Sequence, residues 1–250
     1  MKRNILLLIL LFASILLIWE LGVTEKMRWI FPPPTDVFSR MWEMRSSLLE
    51  HTWITFQEMI VGLFFAFFLA IPIAFGMWRF KRLNTLLQPL FIIIQCIPMI
   101  TLAPIMILWF GFSFISIVIP TFLMIFFPLT ITFYKGLSST PQSLLDLFTV
   151  HQANGFQCFF KLQLPWSIPY LLSGFRISCS IAFLAAVASE WVGGQKGLGV
   201  LMLEARRSYD LKTAFAALFT MVFLSLLLYL FTLILELTFG KRYNHKVIHA

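Results

Sequence analysis

Charge is scarce in this chain. Only 12% of its 250 residues are Asp, Glu, Lys or Arg, about half the share usual in a water-soluble domain. Between Leu83 and Tyr134 there is none at all. Catalytic signatures are missing too. No HExxH, GxSxG or GxxxxGK[ST] occurs, so the sequence offers no zinc hydrolase helix, no nucleophile elbow and no phosphate-cradling loop. An enzyme is not expected, and ATP hydrolysis by this chain is not expected. The three cysteines (Cys96, Cys158 and Cys179) have no CxxC spacing. Cys96 and Cys179 lie in apolar runs and read as small buried filler. His51, His151, His245 and His249 show no pairing with carboxylates at ligand spacing, which leaves them solvated or interfacial and leaves no metal site.

What is present is apolar: 60% of the residues, with 29 Phe. One water-facing core of this length cannot hide that much surface, so lipid is the expected solvent. The net charge of +8 then reads as cations flanking apolar spans, not as a nucleic-acid footprint. The basic start and apolar run "MKRNILLLILLFASILLIWELGV" lack a clear small-residue cleavage site and read as a retained span.

At about 20 residues per span, six spans are expected: Ile5 to Val23, Met59 to Trp78, two within Leu83 to Tyr134, Pro169 to Ser189, and Thr213 to Leu235. "FGFS" (Phe110 to Ser113) supplies the turn between the third and fourth. "RFKR" (Arg79 to Arg82), Lys2, Arg3 and the tail "GKRYNHK" place both termini and the connector Lys135 to Ile168 on the cytoplasmic side. The fold class is an all-α integral membrane protein. Its divisions are residues 1–50 (first span and an external amphipathic segment), 51–240 (a core of the remaining spans with the loop 135–168) and 241–250 (a cytoplasmic tail). Within "FPPPTDVFSRMWEMRSSLLEH", the prolines stop one helix and Thr35 or Asp36 caps a surface helix near 35–50.

The connector is unusual. Asp146 and Lys161 are almost its only charges, yet Leu144, Leu145, Leu147, Phe148, Phe156, Phe159 and Phe160 recur through it. The spacing of Phe156, Phe159 and Phe160 puts them on one helical face, and Pro141 and Pro165 bracket the segment. Bare aromatic surface of this kind needs a cover. Either it folds back on the protein's own spans, or it docks a partner as a helix in a groove.

This segment resembles the cytoplasmic signature of membrane permease subunits of bacterial binding-protein-dependent ABC importers: E-A-A, three residues, G, nine residues, I-x-L-P. Leu164 and Pro165 match the terminal pair, and Leu162 stands at the Ile position. Asp146, Leu147 and Phe148 fall on E-A-A. Gln152 falls on the Gly and is followed by Ala153 and Asn154. "WEL", "FPPPTDVF", "IPMITLAPIMILWFGFS", "SEWVGGQKGLGVLM" and "YDLKTAFAAL" are similar to the nitrate, sulfonate and taurine branch. The last two look closest to permeases for pyrimidine precursors of thiamine.

The resemblance implies a permease homodimer, two cytoplasmic ATPases docked on the loop, an external binding protein, and ATP and Mg used only by the partner. The implied cargo is a small polar solute: a pyrimidine precursor, or a sulfonate-, nitrate- or taurine-like anion. The implied coupling residues are Asp146, Phe148, Gln152, Ala153, Asn154, Phe156, Leu164 and Pro165. Polar groups in or near the spans are the pathway candidates: Gln95, as a helix tie or pore contact, with Met99 beside it, and Arg176 and Glu190, each also readable as interfacial. A membrane scaffold that holds a soluble partner through the same loop is the alternative function.

Overall fold

A computed structural model describes residues 2–240, with the side chains of 7, 10–98 and 101–238. The tail 241–250 lies outside the described residues. The fold is helical: α1 (Lys2–Gly22), α2 (Pro34–Glu43), α3 (Arg45–Arg79), α4 (Lys81–Gln95), α5 (Met99–Phe110), α6 (Phe114–Ser138), α7 (Gln142–Val150), α8 (Gly155–Cys158), α9 (Leu164–Gly193), α10 (Leu198–Arg207) and α11 (Leu211–Leu235). Among the described residues, α3, α6, α8–α9 and α11 are long and apolar enough to cross a bilayer, and α1 is a further apolar helix.

The expected third span is not one helix. Pro98 has no N–H and disfavours helical backbone at Ile97, so the chain breaks between Gln95 and Met99. Neither α4 (15 residues) nor α5 (12 residues) reaches the length of an unbroken span. Other prolines, at 72, 89, 104, 120, 128 and 169, sit inside helices without ending them.

The centre of the molecule is α6 held between α3 and α9. In lipid there is little hydrophobic force between helices, so close packing of small residues must bring them together. Gly62 meets Thr121, Gly174 meets Thr132, and Gly136 meets Ser167 and Tyr170. Ala66, Ala70, Ala182, Ala185 and Ala186 are fully buried alongside Phe183 and Ile125. Ser178 donates to the carbonyl of Ile125 at 3.3 Å, a tie between α9 and α6.

The surface helix expected near 35–50 is shorter. It ends at Glu43, turns at Met44, and residues from Arg45 onward belong to α3. Its start is Pro33 with Pro34 in the first turn, and no side chain caps it. Thr35 gives its N–H and hydroxyl to Glu20 at the end of α1, and Asp36 accepts Arg28. Nor does the helix lie free: Val37 is buried with Leu48, Leu198, Leu201, Ala216 and Ala217. Arg40 reaches Asp210 at 2.8 Å and Thr213 at 2.9 Å, fastening α2 to the first turn of α11.

Candidate functional site

The loop end is built by two caps in succession. α7 closes with the Gln152 N–H on the Thr149 carbonyl (2.9 Å) and the Ala153 N–H on the Phe148 carbonyl (3.0 Å). That pair of bonds is a Schellman motif, and it places the residue after the cap in left-handed backbone. Gln152 accordingly has φ of 57°. The signature's glycine position therefore keeps the glycine conformation with a glutamine in it. The next residues start the following helix. The Asn154 side chain accepts the Gln157 N–H at 2.8 Å, and the Gln157 side chain accepts the Asn154 N–H at 3.1 Å. This capping box turns the chain directly from α7 into α8.

α8 is not a separate short helix. It runs through a π-turn at Phe159–Gln163 into α9, giving one rod from Gly155 to Gly193. Pro165 does not bracket the loop; it lies in the first turn of α9. The Leu164 N–H bonds back to the Phe159 carbonyl, five residues away, and the widened turn absorbs the proline. From Gly155 to Gly193 the chain is helix throughout.

The aromatic residues of the loop divide between the two expected covers. Phe159 turns inward, 5.0 Å from Phe75 and 5.3 Å from Trp78 by ring centroids. Leu164 joins it beside buried Ala74, Phe133 and Leu137. Phe156 and Phe160 pack against each other with ring centroids 4.4 Å apart and planes tilted by 42°, and remain 70% and 49% exposed. Leu147 and Val150 on α7 are exposed as well, and Phe148 is half-buried. A groove of about 750 Å³ runs between this edge and the end of α3, lined by Phe75, Trp78, Arg79, Phe156, Phe160 and Gln163. Asp146 neither caps α7 nor meets a cation; it accepts Gln142 one turn earlier at 2.9 Å.

At the opposite end of α9, Glu190 is the best-held acid in the molecule. It is 1% exposed and accepts the Thr55 hydroxyl and, at 2.6 Å, the Gly199 N–H in the first turn of α10. Thr55 in turn accepts the Leu198 N–H at 2.8 Å. Gly197 has φ of 130°, and a Cβ there would run into the Glu190 carboxyl. His51 is half-buried: its Nδ1 lies 2.9 Å from the carbonyl and 3.1 Å from the backbone nitrogen of Gly197. Glu58 sits beside Glu190, 2% exposed, and the two carboxyl groups share a hydrogen bond. The candidate Glu190 is thus brought together with Thr55, Glu58 and His51, none of which the sequence marked as a partner.

The remaining candidates are scattered. Gln95 is exposed in the last turn of α4, at the chain break. Met99 opens α5, and its side chain lies outside the described residues. Arg176 does not simply snorkel. Its guanidinium pairs with Glu236 at 2.8 Å and lies 5.9 Å from the Tyr229 ring centroid, tying α9 to the end of α11. Cys179 is buried as expected, but Cys96 is exposed. Among the described residues no cluster of His, Cys, Asp and Glu has the makings of a metal site.

This architecture can be compared with known proteins. Residues 61–245 match the family described as the inner membrane component of binding-protein-dependent transport systems. The chain belongs to that family. A probable ABC transporter permease protein of Haemophilus influenzae is 35% identical over 92% of this chain and 94% of its own length. The formylaminopyrimidine transport permease protein ThiX of Halalkalibacterium halodurans is 33% identical over 87% of this chain and 88% of its own length. The membrane fold recurs in the inward-facing MetNI methionine ABC transporter, with a TM-score of 0.70 over 79% of this chain at 18% identity. The permease is a multi-pass membrane subunit and not an enzyme; it works with a separate ATPase and a substrate-binding protein. At the signature's glycine position, Gln152 holds the left-handed backbone that a glycine adopts there.

Proposed function

We propose that two copies of this permease form an inward transport pathway for a small amino-substituted heterocycle, with two ATPases docked on the α7–α8 loops. The observation that carries the reading is the rod from Gly155 to Gly193. One end presents the exposed Phe156 and Phe160 pair, and the other ends at the buried Glu190 cluster. In this reading ATP closes the ATPase pair, the loops follow, and α9 changes the spans' access without a flexible joint. Phe148, Phe156 and Phe160 provide grip; Gln152, Ala153 and Asn154 hold the turn; Leu164 and Pro165 pass the motion on. The loop end faces the cytoplasm, as do both termini, in the inner membrane. Gln95, at the break in the α4–α5 segment, faces the pathway between the copies, and Met99 opens the helix that follows it. Gln95 is exposed there, and an amide facing lipid without a polar partner is costly.

The pyrimidine class is preferred over sulfonate or nitrate by the similarity to ThiX and by the carboxyl groups at the far end. The test is uptake into liposomes holding the permease with its ATPase, supplied with its binding protein and either formylaminopyrimidine or an alkyl sulfonate. ATP-dependent uptake of the pyrimidine alone supports the reading. Uptake of the sulfonate alone replaces the substrate class, and ATP-independent uptake removes the mechanism.

A further inference from the structure

The groove beside the loop combines an aromatic floor with a cation. It takes about 750 Å³ between the last turns of α3 and the start of the α8–α9 rod. The rings of Phe75, Trp78 and Phe159 interlock along it, and Phe75 is still 38% exposed. Phe156 and Phe160, the more exposed rings, continue the lining. Among the described residues Arg79 is the one charged side chain that lines it, and no acid does. The Arg79 guanidinium lies 5.6 Å from the Phe80 ring centroid, a contact that uses its flat face and leaves its N–H edge free. Among the described residues, neither Arg79 nor its neighbours in the chain Lys81 and Arg82, nor Lys161 after Phe160, pairs with a carboxylate. The groove also has a fixed level. The charge-free run of α3 ends at Trp78, so Phe75 and Trp78 belong to the edge of the hydrocarbon and Arg79 to the headgroup layer.

We propose that this groove binds an anionic glycerophospholipid from the leaflet on the loop side, its phosphate accepting the Arg79 N–H groups and its acyl chains lying along Phe75 and Trp78. An apolar floor with a free guanidinium at its edge suits an amphipathic anion, and the guanidinium fork matches phosphate oxygens. At the bilayer edge the amphipathic anion at hand is a lipid. Lys81, Arg82 and Lys161 add positive potential around Arg79 and carry no acid to offset it, so a lipid with net negative charge is held over a zwitterionic one. A soluble ATPase meets Phe156 and Phe160 from the water side, whereas Phe75 and Trp78 lie at the end of a span. The bound lipid bridges the last turn of α3 and the first turns of the rod, whichever solute is carried.

The test uses the permease with its ATPase in phosphatidylcholine vesicles that contain a trace of phosphatidylglycerol with a photoactivatable acyl chain. Cross-linked peptides are read by mass spectrometry. The expected result is labelling of the peptides that carry Phe75 to Arg79 and Phe156 to Gln163. Excess unlabelled phosphatidylglycerol should displace it, and extra phosphatidylcholine or inorganic phosphate should not. Arg79→Gln should lower the labelling about tenfold for want of a charge-assisted hydrogen bond, and Arg79→Lys should restore part of it, having the charge without the fork. Arg45→Gln, which removes an exposed cation at the other end of α3, should leave it unchanged. Should Arg79→Gln fail to insert, the three competitors decide on the wild type alone. Equal displacement by phosphatidylcholine, or unchanged labelling in Arg79→Gln, overturns the anionic site. Displacement by inorganic phosphate shows an anion site without a lipid and overturns it as well. Labelling that arises only once the ATPase is stripped away gives the groove to the ATPase and overturns the lipid.

Discussion

The ring of Phe159 lies 5.3 Å from that of Trp78, and this contact fastens the loop to the last turns of α3. Phe159 is therefore a structural residue, unlike its neighbours. Phe159→Ala should open a cavity against Phe75 and Trp78 and destabilise the fold by about 3 kcal/mol, the usual scale for a packed Phe. Phe160→Ala, half exposed, should cost under about 1 kcal/mol. Thermal unfolding of the two variants in the same detergent checks the order. Equal losses would mean that Phe159 is not the anchor.

Gln152 holds left-handed backbone that glycine adopts without strain. Gln152→Gly should make the α7–α8 turn harder to open by about 1 kcal/mol, and Gln152→Val should loosen it. Hydrogen exchange of peptides covering 148–157 reads both effects. Faster exchange in the glycine variant would contradict the cap geometry.

Arg176 and Glu236 pair between α9 and the end of α11, each about a quarter exposed. Removing one partner leaves a charge without its counterpart in an apolar setting. Arg176→Met alone, or Glu236→Leu alone, should destabilise by about 2–4 kcal/mol, and the double variant should recover most of the loss. A double-mutant cycle on thermal stability measures this. Additive losses would show that the pair is not coupled.

Orientation is tested with single cysteines at Ser46 and Ser143 in a background without Cys96, Cys158 and Cys179. Both sites are exposed. An impermeant thiol reagent applied to whole cells should label position 46 and spare position 143. The reverse pattern would invert the topology.

How much of this was legible in the chain depends on distance along it. α3, α6 and α11 were readable because long runs without charge admit one interpretation in lipid, and α9 because its apolar run carries a single Arg. The break at Pro98 was harder. Proline also sits inside helices at 72, 104, 120 and 128, so the residue alone does not locate a break. The motif spacing located the loop turn at Gln152, but nothing local showed that a glutamine keeps φ of 57° there; two backbone bonds from Gln152 and Ala153 impose it. The Glu190 cluster was the least visible. Thr55 and His51 lie more than a hundred residues from their partners, and only the packing of α3 on α9 and α10 brings them together. Phe156, Phe159 and Phe160 share a helical spacing, yet the π-turn at Phe159–Gln163 and the position of Trp78 separate them into one inward and two outward rings.

The central claim is that the outward face of the loop grips a separate ATPase. Recovery of the co-expressed ATPase by tagged permease measures it directly, with permease levels matched by blot, for wild type, Phe148→Ala and Phe156→Ala. The loss of an aromatic anchor costs about 2 kcal/mol or more, roughly thirtyfold in affinity. Both variants should therefore insert normally while losing most of the ATPase. Full ATPase recovery and full uptake in both would mean that the loop serves only its own membrane domain.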